Sequence, residues 1–116
     1  MAERLAELVD GMQSTNKLLK AGSCSGAMTA WSAFSAAARK DGALAGKYKS
    51  LIGLAIGLSK RCAPCIAYHT KAAISLGATK DEVLEAAFVA VLMEGGPAQA
   101  HLGLVLDAWE EFGNAP

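Results

Sequence analysis

Helix-forming residues dominate the chain, and this bias limits the possible fold more than any other feature of the sequence. Alanine, leucine, lysine and glutamate are frequent, and β-branched residues are sparse. Apolar residues recur at helical spacing between short breaks rich in small residues. The sequence therefore predicts an all-α fold of about six helices, over residues 2–21, 27–40, 46–60, 63–76, 80–93 and 97–112.

Start and stop signals separate the last three predicted helices. Gly77 provides a stop after the helix over 63–76. The segment "TKDE" is a capping box, in which Thr79 is the N-cap and Glu82 follows three residues later. Pro97, in "EGGP", suits the first turn of the last helix. These local signals predict where each helix begins and ends.

The predicted helix over 46–60 is expected to lie at the centre of the fold. Apolar residues surround its axis in the string "LIGLAIGL", a pattern typical of a helix that is buried on all sides. Gly53 and Gly57 are four residues apart, and each costs roughly 1 kcal/mol relative to alanine. We therefore expect these glycines to let another helix approach closely.

Length and composition indicate one domain over residues 1–116. A chain of 116 residues has the usual size of one domain, and 53% hydrophobic residues exclude a disordered chain. That fraction is high for a small domain, so we expect a homo-oligomer that buries apolar faces between subunits. Eleven basic and eleven acidic residues cancel without a basic stripe, which argues against a nucleic-acid partner.

The sequence also bears on where the protein acts. The start of the chain has no apolar segment typical of a secretory signal. The longest apolar run, residues 86–93, is far shorter than the roughly 18–20 residues of a membrane helix. We therefore expect a cytoplasmic protein without membrane contact. Three cysteines in such a chain indicate a reactive or metal-binding pair rather than a disulfide framework.

The segment "RCAPCIAYHT", residues 61–70, carries the strongest chemical signal in the chain. At about 100° per residue, Cys62, Cys65 and His69 fall within a sector of about 60° on one helix face. Residues three apart on a helix have Cβ atoms about 5–6 Å apart, whereas a disulfide requires about 3.5–4.5 Å. A small adjustment in the first helical turn would therefore close a bond between the two cysteines.

The start of this helix is a favourable place for an activated cysteine. Pro64 favours a helix start here, and the first turn presents unpaired N–H groups and the positive end of the helix dipole, which stabilise a thiolate. Arg61 and Lys60 add positive charge. His69 lies one turn beyond Cys65, within reach of a shared proton. The pattern predicts the chemistry of a peroxidase or dithiol oxidoreductase.

Two other interpretations of the same residues remain open. The cysteine pair and His69 could supply three ligands to zinc, with His101 or Glu94 as a fourth. Structural zinc sites usually have two ligand pairs on separate loops, and the chain contains no second CxxC. Because cysteine is often buried as a small packing residue, the third interpretation is a core segment without chemistry.

Three markers follow one another in the second half of the chain. They are CxxCxxxH over residues 62–69, the segment "LGATKDEVLEA", and the "GGP" turn. In this order and spacing they make residues 47–101 resemble the carboxymuconolactone decarboxylase family, and within it the alkyl hydroperoxidase AhpD-like branch. The resemblance implies a single-domain helical bundle with a core over about 27–112, preceded by an N-terminal helix over about 2–21. It also implies homo-oligomers such as trimers or hexamers.

The resemblance implies a peroxidase-type activity through the cysteine pair. By position, Cys65 would attack the peroxide as a thiolate, Cys62 would resolve the resulting sulfenic acid into a disulfide, and His69 would relay the proton. The implied partners are a hydroperoxide substrate and an external dithiol as electron donor. No bound cofactor and no metal are implied.

One position departs from the family pattern. Family members often have a glutamate twelve residues before the first motif cysteine, where it is thought to complete the proton relay, and this chain has Ser50 there. Because serine is a poor base, Glu94, Tyr68 or a bound water could take its place, and Ser50, Glu94 and Tyr68 are the candidate relay residues. The branch that gives the family its name generally lacks the CxxC pair. A decarboxylase-like or non-enzymatic protein with a vestigial or zinc-binding CxxC is therefore the alternative.

Four further residues receive no catalytic role. Cys24 lies in the turn "AGSCSG" without a base nearby, so we expect an incidental thiol. His101, a single histidine on the predicted last helix, is expected to be a packing residue. Trp31 and Trp109 have the spacing of core or interface residues and need no cofactor.

Overall fold

The computed structural model describes residues 4–113, and this part of the chain is helical without a strand. Its helices are α1 (Arg4–Ala21), α2 (Ser25–Arg39), α3 (Gly46–Ser59), α4 (Ala63–Ser75), α5 (Lys80–Glu94), α6 (Gly96–Ala100) and α7 (Leu102–Gly113). The all-α prediction is confirmed. None of these helices has a stretch with the length and hydropathy that crossing a bilayer requires.

The helix bounds agree with the sequence except near the C-terminus. The predicted first helix includes residues 2 and 3, which lie outside the described residues. The continuous helix predicted over 97–112 is wrong, because the chain breaks at His101 into α6 and α7. There the N–H of His101 donates to the carbonyl of Ala98 at 3.1 Å, and Leu104 in turn donates to the carbonyl of His101 at 3.0 Å. Such bonds to the third preceding residue tighten and end an α-helical turn.

Aliphatic side chains between α3, α4, α5 and α7 form the larger core. Its fully buried members include Leu54, Leu58, Ile66, Val83 and Val105. The helix α3 packs mainly against α4 and α5 and is central, as predicted. Its expected burial on all sides is wrong, because Ile52 and Ile56 remain about half exposed on the outer side.

A smaller core joins α1 to α4 and α7. Leu5 and Val9 of α1 are fully buried there. The first turn of α1 is held by Glu111 of α7, whose carboxylate accepts from the backbone N–H of Leu5 at 3.1 Å and of Ala6 at 2.8 Å. A carboxylate that accepts from the free N–H groups at the start of a helix acts as a cap. Glu111 of α7 therefore fixes the start of α1, which packs across α4.

The helix α2 has no buried residue, although its sequence predicts an apolar face. Trp31, expected in the core or at an interface, is 59% exposed and so lies outside the core, and Phe34 on the same helix is 64% exposed. Trp109, by contrast, is partly buried against the larger core. The helix α2 therefore lies on the outside of α1 and forms one wall of a cavity rather than part of the core.

The turn between α4 and α5 forms as the sequence predicts. Gly77 has a φ of 96° and ends α4 in the left-handed conformation that favours glycine. Both hydrogen bonds of the capping box are present, at 3.1 Å to the hydroxyl of Thr79 and at 2.9 Å to the carboxylate of Glu82. That carboxylate also pairs with Lys47 at 3.1 Å, so the cap ties α5 to α3. These contacts lower the pKa of Glu82, the bond from the Thr79 backbone contributing most.

Candidate active site

Cys62 lies at a sharp corner between α3 and α4. Arg61 has a φ of 53°, in the left-handed region. The N–H of Cys62 donates to the carbonyl of Gly57 and that of Arg61 to Leu58, each at 3.0 Å, which is the bond pair of a Schellman motif. A residue with a side chain costs about 1–2 kcal/mol in this conformation. The motif fixes the backbone of the first cysteine before α4 begins.

The same cysteine caps α4. Its sulfur accepts a hydrogen bond from the backbone N–H of Cys65 at 3.2 Å, and Pro64 lies in the first helical turn. The two cysteines form a disulfide with their Cα atoms 5.2 Å apart. The helical spacing alone allows this bond only with a small adjustment. Placing Cys62 at the non-helical N-cap, with φ −102° and ψ 99°, supplies that adjustment.

A cavity of about 290 Å³ opens beside the disulfide, between α1, α2 and α4. Its wall consists of Met12, Asn16, Trp31, Ser32, Ser35, Arg39, Cys65, Tyr68 and His69. Cys65 forms part of this wall and Cys62 does not, although both are partly buried. A small molecule in the cavity therefore contacts Cys65 rather than Cys62.

Two glycines of α3 create the room for this site. A Cβ atom on Gly53 would lie 2.7 Å from Nδ1 of His69, and one on Gly57 would lie 3.0 Å from Cβ of Cys65. Real carbon atoms pack at about 3.5–4.0 Å. The predicted close approach is confirmed, and its partner is the helix that carries the cysteine and the histidine.

The surroundings of His69 favour its neutral imidazole form. Burial lowers its pKa first, because desolvation disfavours the charged form, and the nearby positive charge of Arg39 lowers it further. Its buried Nδ1 has no hydrogen-bond partner among the described residues. The ring of Tyr68 meets the imidazole edge-on, with centroids 5.1 Å apart. A neutral imidazole on the wall of the cavity can accept a proton from a neighbouring thiol.

The structure separates the three candidate relay residues. Tyr68 lines the cavity. Ser50 is 3% exposed inside α3 and gives no hydrogen bond to the buried nitrogen of His69. Glu94 lies at the end of α5, outside the cavity wall, and pairs with Arg61 at 3.9 Å. Of these residues, Tyr68 is the one that shares the cavity with His69.

The other sequence candidates lie apart from the cysteine pair. Cys24 is an exposed free thiol that precedes α2. His101 lies outside the cavity wall, with its Nδ1 2.8 Å from the carbonyl oxygen of Pro97. Within residues 4–113, no group of three or more histidine, cysteine, aspartate or glutamate side chains is placed to hold a metal ion. The arrangement does not place Glu94 or His101 as a zinc ligand beside the cysteines.

Residues of α1 and α2 in the cavity wall were missed by the sequence analysis. Ser32, Ser35 and Arg39 all face the cavity. Their spacing of three and four residues is a polar stripe on one helix face, and this was the available signal. The Nε–H of Arg39 donates to the hydroxyl of Ser35 at 3.2 Å, and its guanidinium lies 5.7 Å from the ring centre of Tyr68.

Comparisons with known sequences find a family model and relatives that match this chain. Residues 26–108 match the model of the carboxymuconolactone decarboxylase family. A Paracoccus denitrificans protein described as "Uncharacterized protein 4 in cox locus" is 39% identical over 75 residues, which cover 65% of this chain and 68% of that protein. An uncharacterized protein of Cupriavidus necator is 32% identical over 80 residues, covering 69% of this chain and 71% of that protein.

Two solved structures share the fold. A family protein from Legionella pneumophila, in its apo form, superposes with a TM-score of 0.89 at 34% identity, covering 95% of this chain and 97% of that one. A family protein from Thermotoga maritima, for which an involvement in antioxidative response has been suggested, gives a TM-score of 0.75 at 26% identity. That match covers 94% of this chain and 97% of the Thermotoga chain.

Proposed function

The chain belongs to the carboxymuconolactone decarboxylase family, and from that membership and the site geometry we propose that it reduces hydroperoxides through its cysteine pair. This is the activity of the alkyl hydroperoxidase AhpD-like branch. One observation carries the proposal: Cys65 is joined to Cys62 and shares a cavity with His69, whose lowered pKa favours the neutral imidazole. The suggested antioxidative role of the Thermotoga protein supports it.

The first step is the attack on the peroxide. With the pair reduced, His69 accepts the proton of the Cys65 thiol, and the start of α4 stabilises the thiolate. The sulfur attacks the terminal oxygen of the hydroperoxide, the O–O bond breaks, and the sulfur loses two electrons. The leaving alkoxide takes the proton from the imidazolium. The products are an alcohol and a sulfenic acid on Cys65.

The second step forms the disulfide present in the structure. The thiol of Cys62 attacks the sulfenic sulfur of Cys65, and the hydroxide that leaves combines with the thiol proton to give water. An external dithiol then exchanges with the disulfide and returns two electrons and two protons. Because this cycle needs a reducing environment, we propose that the protein acts in the cytoplasm.

We propose a homo-oligomer, a trimer or a hexamer, from the exposed apolar surface of α3 and α5. A groove of about 350 Å³ there is lined almost entirely by apolar side chains: Tyr48, Leu51, Ile52, Ala55, Ile56, Ala86 and Val89. Large exposed apolar patches on small proteins usually mark interfaces. In sedimentation velocity, Ile52→Glu should dissociate the assembly, while Leu18→Glu, an exposed change on α1, should not. A wild-type monomer at micromolar concentration would refute this assembly.

Mass spectrometry after peroxide treatment tests the proposed function. The reduced wild-type protein should lose about 2 Da, assigned to the Cys62–Cys65 peptide, when one equivalent of hydroperoxide is added. Cys62→Ser should leave a sulfenic acid on Cys65 that dimedone traps. Cys65→Ser should abolish turnover, and Cys24→Ser should leave it unchanged. A wild-type protein that loses no mass under these conditions would disprove the proposal.

A further inference from the structure

Arg39 places a permanent positive charge on the wall of the cavity beside Cys65. The wall includes no aspartate or glutamate. A cation without a counter-charge in a small cavity attracts an anionic group. We propose that Arg39 determines substrate choice: the hydroperoxide reduced at Cys65 carries a carboxylate, which binds the guanidinium of Arg39. This inference rests on the proposed function.

The guanidinium is held in place but keeps free donors. One of its five N–H groups bonds to Ser35 at 3.2 Å, and its face lies over the ring of Tyr68. Within residues 4–113, Arg39 forms no ion pair with a carboxylate, whereas three other cations do: Arg4 with Asp107, Lys47 with Glu82, and Arg61 with Glu94. The planar fork of Arg39 is therefore available for two hydrogen bonds to a carboxylate.

Arg39 and His69 lie close enough to bind the two ends of one small molecule. Both groups pack on Tyr68, at 5.7 Å for the guanidinium carbon and 5.1 Å for the imidazole centre, measured to the tyrosine ring centre. The distance between them is at most the sum of these two spacings. The cavity of about 290 Å³ holds a small organic acid. Met12 and Trp31, on the same wall, supply apolar surface for its carbon skeleton.

The charge of Arg39 already acts on the proposed base. It is the second cause, after burial, of the lowered pKa of His69. An anion bound at Arg39 would cancel part of this repulsion and raise the proton affinity of the imidazole. Substrate binding would therefore help His69 to take the proton of Cys65, which couples recognition to activation of the thiol.

The carboxylate takes no part in the electron balance. The sulfur of Cys65 gives two electrons to the O–O bond, the bond breaks, and the hydroperoxide becomes the corresponding hydroxy acid. The leaving oxygen takes the proton held by His69. The carboxylate stays ionised on Arg39 throughout, so that it contributes to binding and orientation only.

Two matched peroxides test the inference. They are the tertiary γ-hydroperoxide of isocaproic acid and its methyl ester, which differ in the charge of the carboxyl end and by one methyl group. The variants are Arg39→Gln, Arg39→Lys and the control Lys40→Gln, which removes the next positive charge along the chain without changing the cavity wall. The measured quantity is the ratio of kcat/KM for the acid to kcat/KM for the ester.

We expect the wild-type protein to prefer the acid about fivefold or more, a moderate factor because Arg39 is exposed to solvent. Arg39→Gln should remove this preference, mainly through KM for the acid, and Arg39→Lys should keep part of it. Lys40→Gln should change the ratio less than about twofold. A wild-type ratio near one, or a ratio that survives Arg39→Gln, would overturn the inference.

Two further arms separate this inference from the proposed function and from another source of the carboxylate. If neither peroxide is reduced, the proposed function is wrong, and NMR titration of the disulfide form with isocaproate and isocaproamide decides the anion site. Equal binding of the two compounds would overturn it, and binding of isocaproate alone that Arg39→Gln removes would support it. Re-reduction of the disulfide is also compared between dimercaptosuccinate and dithiothreitol. If Arg39→Gln slows only the reaction with dimercaptosuccinate, the carboxylate belongs to the reductant, and the peroxide assignment is wrong.

Discussion

Gly53→Ala puts a methyl group into the space that the imidazole of His69 occupies. The added Cβ would lie 2.7, 2.8 and 2.9 Å from Nδ1, Cγ and Cε1 of the ring. Because carbon atoms pack at about 3.5–4.0 Å, the ring must move by about 1 Å. Because His69 also lines the cavity, we expect the imidazole to shift away from α3.

The effect on stability follows from two opposing contributions. Alanine in a helix is favoured over glycine by roughly 1 kcal/mol, and overpacking costs about 1–3 kcal/mol. Gly11→Ala is the matched control, because Gly11 lies inside α1 with nothing within 4 Å of its added Cβ. Gly11→Ala should therefore stabilise by up to about 1 kcal/mol, and Gly53→Ala should be less stable than this control by about 1–3 kcal/mol. Urea denaturation measures both free energies of unfolding.

The effect on activity should be larger than the effect on stability. A displacement of about 1 Å in a reacting group can cost about a hundredfold in rate. We expect Gly53→Ala to lower kcat/KM for hydroperoxide at least tenfold. Gly11→Ala should leave it unchanged.

A double-mutant cycle shows whether the collision with His69 is the cause. In a His69→Ala background the ring is absent, so Gly53→Ala should stabilise the protein as much as Gly11→Ala does. If Gly53→Ala stabilised the wild-type protein equally well and kept its activity, the assigned contact would be wrong.

Four further predictions concern charge, capping and the relay. Arg39→Gln should raise the pKa of His69 in an NMR titration, because it removes a neighbouring positive charge, and Lys40→Gln should not. Since the folded pKa of His69 is lowered below 6.5, the unfolded chain binds more protons in acid. The free energy of unfolding should therefore fall as the pH decreases through about 6.5, and His69→Phe should reduce this fall in urea denaturation. Thr79→Ala should cost about 1 kcal/mol in urea denaturation, because the capping box loses its hydroxyl. Ser50→Glu, which restores the residue typical of the family, should raise kcat for hydroperoxide, and an unchanged kcat would place the relay elsewhere.

Local patterns in the sequence were enough to predict the elements that bear the chemistry. The capping box at Thr79 and the stop at Gly77 form as predicted, because each depends on hydrogen bonds within a few residues. Cys62, Cys65 and His69 come from a single turn and helix, so the helical repeat alone predicts their common face. Even the close approach at Gly53 could be anticipated, although the side chain that uses the space could not.

Errors appeared wherever contacts between distant parts of the chain decided the outcome. The spacing of Trp31 in α2 predicted a core or interface position, and its exposure outside both cores excludes the core position. The apolar residues around α3 predicted burial on all sides, yet Ile52 and Ile56 line an open groove. Hydropathy indicates which residues are apolar, and it does not indicate which helix will cover them.

The sequence by itself determined the helical class and the placement of Cys62, Cys65 and His69 along one helix and its N-cap, since backbone propensity and short-range spacing act locally. Only the tertiary structure decided that Cys65 rather than Cys62 lines the cavity, that burial lowers the pKa of His69, and that Arg39 shares the same wall. Burial and electrostatic interactions depend on side chains from α1, α2 and α3 that lie far from the motif in sequence. Packing brings them together, and so the proposed specificity of the site lies outside the motif that identifies it.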